Sequence, residues 1–194
     1  MKLAISADIE LDERSVETGY VTWLDVRAYD EDRTLLGTAR VALVHVGEIA
    51  DAHGDLWPAL RGTRLESLHD AYFAEGWYND DFADGSGIDL LFVDRVTIEE
   101  PWKDKNLDLA IVRRLADTIG SGCQLVVMRF GDAFEAAKWG RLGFTPTTRG
   151  RSSGLMHMKL GYRHARVIDT GTGKFEVVPT DGNPPMSLDR RAAN

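Results

Sequence analysis

The stretch from Ile88 to Phe130 constrains the fold more than any other. Ile88–Glu99 is β-branched and nearly continuous in its apolar half, the pattern of a central strand buried on both faces. Leu107, Ile111, Leu115 and Ile119 then recur at four-residue intervals. That is one apolar stripe of an amphipathic helix of about three turns. Gly120 and Gly122 close it, and "CQLVVMRF" from Cys123 is a second buried strand. A strand, a crossing helix and a strand predict a parallel pair inside a sheet.

The flanking segments predict what surrounds that pair. Lys2–Glu10 alternates Leu3, Ile5 and Ala7 with polar neighbours, and Tyr20–Tyr29 does the same with Val21, Trp23 and Val26. "LLGTARVALVHV" from Leu35 is a third, longer strand, so an antiparallel meander opens the chain. A short helix is expected near Leu56–Leu60. Thr63 and Glu66 have capping-box spacing ahead of an apolar face of Leu65, Leu68, Tyr72 and Phe73. "DAFEAAKWGRLGF" predicts a helix with Asp132 as N-cap and Gly143 as stop. "GLMHMKLGY" is a strand, and "RVIDTGTGKFEVV" a hairpin turning at Gly171–Gly173. The fold class is therefore α/β, an α+β mixed sheet. Residues 1–180 are expected to form one domain and 181–194 a mobile tail.

Charge and cysteine content narrow the setting. A net charge of −8 and a pI near 5.1 argue against nucleic acid or an anionic membrane as the main partner, while leaving room for a local basic patch. No apolar run has the roughly 20 residues of a membrane span, and the N-terminus turns acidic too soon for a secretory signal. The single cysteine, Cys123, cannot form an internal disulfide, so the cytoplasm is the expected location.

Residues 88–160 resemble the GNAT acyltransferase superfamily, the fold of many acetyl-CoA-dependent N-acetyltransferases. Val96 and Ile98 match the strand end, Trp102 the aromatic before the loop, Lys103 its basic first position, and "AAKWGRLGF" the end of the second helix. "VDRVTI" is similar to the strand of a bacterial branch. The resemblance implies a GNAT-like fold with an N-terminal antiparallel meander and a C-terminal hairpin. The meander followed by helices departs from the commonest order of that family. The resemblance also implies acetyl-CoA as cofactor, with the pantetheine arm between the two parallel strands. A backbone N–H near Val96 would then polarise the thioester carbonyl. The cofactor would lie along Val96, Ile98, Lys103, Asp104, Lys105, Asn106, Leu107 and Asp108.

That loop departs from the family pattern. Glycines there let backbone N–H groups approach the pyrophosphate, beside the positive end of a helix. Here Asp104, Asn106 and Asp108 stand where glycines are expected. Asn106 reaches left-handed backbone angles readily. The aspartates add bulk and negative charge, offset in part by Lys103 and Lys105. Two readings stand: a weakened CoA loop, or acidic residues that cap a helix start.

The acid and base are less defined. Trp139 stands where the family often has a proton-donating tyrosine, and an indole N–H is no acid near neutral pH. Asp94 is the candidate base. Period-two counting places it on one strand face with Leu90, Phe92, Val96 and Ile98, where a carboxylate is either paired or proton-active. Its expected partners are the surroundings of Arg95, or Arg113. Glu99, at the strand end, is the second candidate.

Other features read as structural. "TGTGK" lacks Walker spacing. His53, His69, His157 and His164 have no metal-ligand spacing, so no metal is expected. Cys123 reads as core, Trp139, Leu142 and Phe144 as packing, and Tyr72, Phe73, Trp77, Tyr78 and Phe82 as core and loop anchors. The expectation is an N-acyltransferase moving an acetyl or other acyl group from acyl-CoA to a small-molecule or protein amine. The alternative is a non-catalytic GNAT-fold binding or regulatory module. The hairpin after Arg166 is the candidate surface for a homodimer.

Overall fold

The computed structural model describes residues 1–7, 19–51, 56–85, 87–148, 154–162 and 164–180. His53 and the tail at 181–194 lie outside the described residues. Strands β1 (Lys2–Ala7), β2 (Val21–Tyr29) and β3 (Leu35–Val44) form the expected antiparallel meander. Three short helices follow: α1 (Val46–Asp51), α2 (Leu56–Leu60) and α3 (Glu66–Tyr72). A small ladder of β4 (Phe73–Ala74) and β5 (Trp77–Tyr78) comes next. The sequence reading had two helices here and ran the third strand on to Val46, where α1 begins. The capping box is divided: Glu66 accepts from the Gly62 N–H at 2.8 Å, while Thr63 accepts from Leu65 N–H at 3.0 Å.

The central unit is β6 (Asp89–Ile98), α4 (Leu107–Thr118) and β7 (Cys123–Arg129), with β6 and β7 parallel as the crossover pattern predicts. Helix α5 (Ala133–Gly140) is capped by Asp132, whose side chain accepts the Glu135 N–H at 2.8 Å. β8 (Thr145–Pro146) and β9 (Leu155–Lys159) complete a seven-stranded mixed sheet of order β1-β2-β3-β6-β7-β9-β8. β10 (Arg166–Asp169) and β11 (Phe175–Val178) form the separate C-terminal hairpin. The mixed α/β expectation thus matches the structure. Among the described residues no helix is long and apolar enough to cross a membrane.

The sheet carries an apolar core on each face. One face packs Val26, Val41, Leu91, Val93 and Ile98 against Leu107, Ile111 and Leu115 of α4 and Trp139 of α5. The other packs Ala42, Val44, Leu90, Phe92 and Val127 under α1–α3, with Tyr72, Phe73, Tyr78 and Phe82 buried among them. The apolar stripe of α4 is as expected through Leu115, but Ile119, its fourth residue, falls just past the helix in a 3-10 turn and is half-buried. The packing role of Trp139, Leu142 and Phe144 is as expected. Cys123 is buried, and that burial pushes its thiol pKa up to about 12.

Candidate active site

A β-bulge in β6 organises the site. Arg40 of β3 pairs with Arg95, but its neighbour Val41 pairs with Val93, so Asp94 is the extra residue. A bulge reverses the side-chain alternation beyond it. Leu90 and Phe92 belong to the core under α1–α3, whereas Val96 and Ile98 pack on the α4 side. This corrects the period-two count, which put all four on one face with Asp94. The sequence does carry a signal: Asp94 and Arg95 are consecutive polar residues between "LLFV" and the alternating "VTI".

Beyond the bulge the sheet opens. The β6–β7 ladder ends at Val93↔Met128, while β6 stays paired with β3 as far as Ile98 and Gly37. Among the described residues, the β7-side edge of β6 from Asp94 onward has no ladder partner. Val96 and Ile98 turn their side chains into the core, so they offer this gap their backbone alone.

Asp94 forms an ion pair with Arg64, ahead of α3, at 3.3 Å. The Asp94 side chain is 9 % exposed and that of Arg64 71 % exposed. The partner is neither Arg113, which bonds Asp117 within α4, nor a neighbour of Arg95. Glu99 is exposed at the strand end, its N–H donating to Leu36 O at 2.9 Å. At about 3.3 Å per residue, the backbones of Asp94 and Glu99 are roughly 16 Å apart along the strand. Their carboxylates cannot serve one reacting atom.

The loop after β6 is a 3-10 helical turn, Glu100–Lys105. Lys103 bonds Glu100, a contact that raises the lysine pKa and claims its charge. Lys105 lies 4.0 Å from the Trp102 ring centroid, Asp104 is exposed, and Leu107 is fully buried. Asn106 takes the left-handed conformation, φ 56°, as its side chain predicts. Its amide donates to Phe175 O at 2.8 Å and its side-chain oxygen accepts from Arg141 at 3.1 Å. The hairpin turn rests on the same loop. Gly173, at φ +73°, is so close to Trp102 that a Cβ there would lie 3.1 Å from the indole.

Asp108 is buried in the first turn of α4. One oxygen accepts the Leu109 N–H at 2.9 Å and the other binds the Lys138 ammonium of α5. Lys138 is a site residue the sequence reading missed. Nothing in "EAAKWG" marks it, because its partner lies on another helix. The residues fit a CoA ligand in part. The unpaired β6 edge suits an amide-bearing arm, while the Asp108–Lys138 pair stands at the start of α4, where the resemblance expects a pyrophosphate.

A buried hydrogen-bonded chain was also missed. Tyr72 bonds Thr147 at 2.6 Å, and Thr147 bonds His157 Nδ1 at 2.9 Å. Burial, with Lys159 adding to it, lowers the His157 pKa to about 4, so the ring is neutral near pH 7. Burial raises the Tyr72 phenol. A cavity of about 840 Å³ lies elsewhere, between β1, α4 and the hairpin, and includes Leu3, Arg114 and Phe175. It is toward the β1 edge, whereas the β6–β7 gap is on the other side of β6.

No family model matches the chain, and no curated protein matches it. Solved structures similar to it include AtaT complexed with acetyl-methionyl-tRNAfMet, at 12 % identity, covering 81 % of this chain and 95 % of that one, TM-score 0.45. The KacTA–DNA complex is 12 % identical over 81 % and 93 % of the chains, TM-score 0.42. AtaTR bound with AcCoA is 9 % identical over 81 % and 92 %, TM-score 0.40. Likenesses this distant carry no argument about the activity of this chain. Two of them hold a nucleic acid, and the exclusion of nucleic acid drawn from the net charge is corrected accordingly. Net charge is a sum over the chain, while binding depends on local surface. Residues 8–18 alone contain Asp8, Glu10, Asp12, Glu13 and Glu17 against Arg14.

Proposed function

We propose that the chain is a GNAT-like N-acyltransferase, moving an acetyl or other acyl group from acyl-CoA to an amine, with a weakened cofactor loop. The parting of β6 from β7 beyond Val93↔Met128 carries this reading, because it leaves a strand edge free inside the sheet. CoA would supply the acyl group as a thioester. The backbone of Val96–Ile98 is assigned to the arm, and the backbone N–H near Val96 to the carbonyl oxygen. In the transfer the amine nitrogen bonds the acyl carbon, the carbon–sulfur bond breaks, the amine loses a proton and the thiolate gains one. Asp94 is the group assigned to take the amine proton, held in place by Arg64. Lys103–Asp108 are assigned to the phosphates.

The second reading is a non-catalytic GNAT-fold module. Two observations favour it: Trp139 is buried where the family pattern puts a phenol, and Asp108 and Lys138 tie the helices together at the loop. Calorimetric titration with acetyl-CoA separates the two. The native protein should bind measurably, and a variant with glycine at positions 104, 106 and 108 should bind more tightly at the same salt concentration. Native binding at low micromolar level with no gain in the variant would remove the weakened loop. No binding by either would favour the module.

A further inference from the structure

We infer that the sheet face beside Asp94 docks a single-stranded nucleic acid. On β2, β3 and β6, beyond the cover of α1–α3, paired residues form two rows on that face. One row reads Asp25, Arg40, Arg95 and the next Arg27, Thr38, Thr97. Arg64 and Arg129 extend it toward β7. Arg129 donates to Arg64 O at 2.9 Å and lies over the Phe92 ring. Arg27, Arg40, Arg64, Arg95 and Arg129 thus lie on this face, with the carboxylates of Asp25 and Asp94 among them.

Arg40 and Arg95 are the telling pair. They stand directly opposite on neighbouring strands, where Cβ atoms are about 5 Å apart and like charges repel. Among the described residues neither has a carboxylate within ion-pair distance, and both are exposed. An anion bridging them removes the repulsion. Phosphate suits this arrangement, because planar guanidiniums bind it in a bidentate manner. Arg40 also stacks on Trp23, 4.7 Å from the ring centroid to its guanidinium carbon. A guanidinium plane over an indole is a surface on which a base can stack. An acidic peptide would use the charge but not that plane. The threonine row adds hydroxyl donors for a backbone running across the strands.

The binding itself does not require the acyltransferase reading. Only the idea that a bound strand presents the acceptor amine at Asp94 rests on it. The test is fluorescence anisotropy of a labelled single-stranded RNA oligonucleotide at several salt concentrations, without CoA. The native protein should bind it, and Arg40→Glu with Arg95→Glu should weaken binding at least about tenfold. The milder Arg40→Gln with Arg95→Gln should reduce the log–log salt slope by about 1.4, two contacts at about 0.7 each. Arg114→Glu, exposed on the α4 side, should change nothing. Thermal melting confirms that each variant is folded. No binding by native protein at 50 mM salt (on the order of the low-salt conditions where such contacts are strongest) overturns the inference. So does binding indifferent to Arg40 and Arg95, equal competition by polyglutamate, or equal affinity for a mononucleotide. Strand binding without acetyl-CoA binding would keep this face and remove the acyltransferase. The reverse result would do the opposite.

Discussion

Asp108 in the first turn of α4 is ion-paired with Lys138 of α5, and the pair joins two helices at the end of the gap between β6 and β7. The sequence presents Asp108 as a charge that repels phosphate. The structure makes it a packed and neutralised group, leaving Asp104 as the exposed negative charge of the loop. If the proposed pyrophosphate site lies at this loop, both effects oppose it, one by engaging a lysine and the other by field.

Asp108→Gly should therefore tighten acetyl-CoA binding by about tenfold, since it removes a carboxylate and frees an ammonium beside the phosphates. The same change should lower the unfolding free energy by about 1–3 kcal/mol, because it leaves the partly buried Lys138 ammonium without its charged partner. Lys138→Ala is the contrasting variant. It strands the Asp108 carboxylate and should weaken both stability and binding. Calorimetry and urea unfolding read the two effects separately. Equal acetyl-CoA affinities for Asp108→Gly and native protein would show that the pair does not limit the cofactor.

Leu115 is fully buried on the α4 stripe against the sheet. Leu115→Ala should cost about 2–5 kcal/mol through lost burial and the cavity left behind. The midpoint of urea unfolding should fall with the slope unchanged. An unaltered midpoint would remove α4 from the core.

The fold was legible where periodicity reports burial. Leu107, Ile111 and Leu115 identified α4, and the apolar run before them identified β6, because a strand buried on both faces leaves no polar alternation. The site was legible only along the chain. Asn106 was readable, since its backbone angle follows from its own side chain. The partners of Asp94 and Asp108 were not: Arg64 lies 30 residues away and so does Lys138, and each pairing depends on how helices settle on the sheet. The bulge at Asp94 fell between these cases. It was written in the sequence as two adjacent polar residues, but strict alternation passed over it. Net charge misled for a related reason. It adds acidic residues distant in the chain to arginines that the register of three strands gathers on one face.

His157 makes a prediction about acid. Its folded-state pKa of about 4 lies below the ordinary value of 6.5, because burial disfavours the charged ring. The unfolded chain binds the proton first as pH falls. Stability from this group is complete above pH ~6.5 and is lost progressively toward pH ~4. By pH ~4.5 the loss should reach about 2–3 kcal/mol, at about 1.4 kcal/mol per pKa unit. His157→Gln should show a smaller drop in urea midpoint between pH ~7 and pH ~4.5 than the native protein. Identical drops would mean that His157 titrates normally in the folded chain.

Asp94 and Arg64 supply the sharpest test of the site. Arg64 is 71 % exposed, so solvent screens the pair and their coupling should be below about 1 kcal/mol in a double-mutant cycle of Asp94→Asn and Arg64→Ala. A catalytic carboxylate and a structural one then diverge in activity. If Asp94 takes the amine proton, Asp94→Asn should keep the native urea midpoint to within that coupling and lower kcat/KM by about 100-fold or more. Arg64→Ala leaves the carboxylate in place and should lower kcat/KM only a few-fold. Equal losses in the two variants, with the double variant no worse than either, would mean that the pair acts as one structural unit. Asp94 would then position the bulge through Arg64, and the base would have to be sought elsewhere on the open edge of β6.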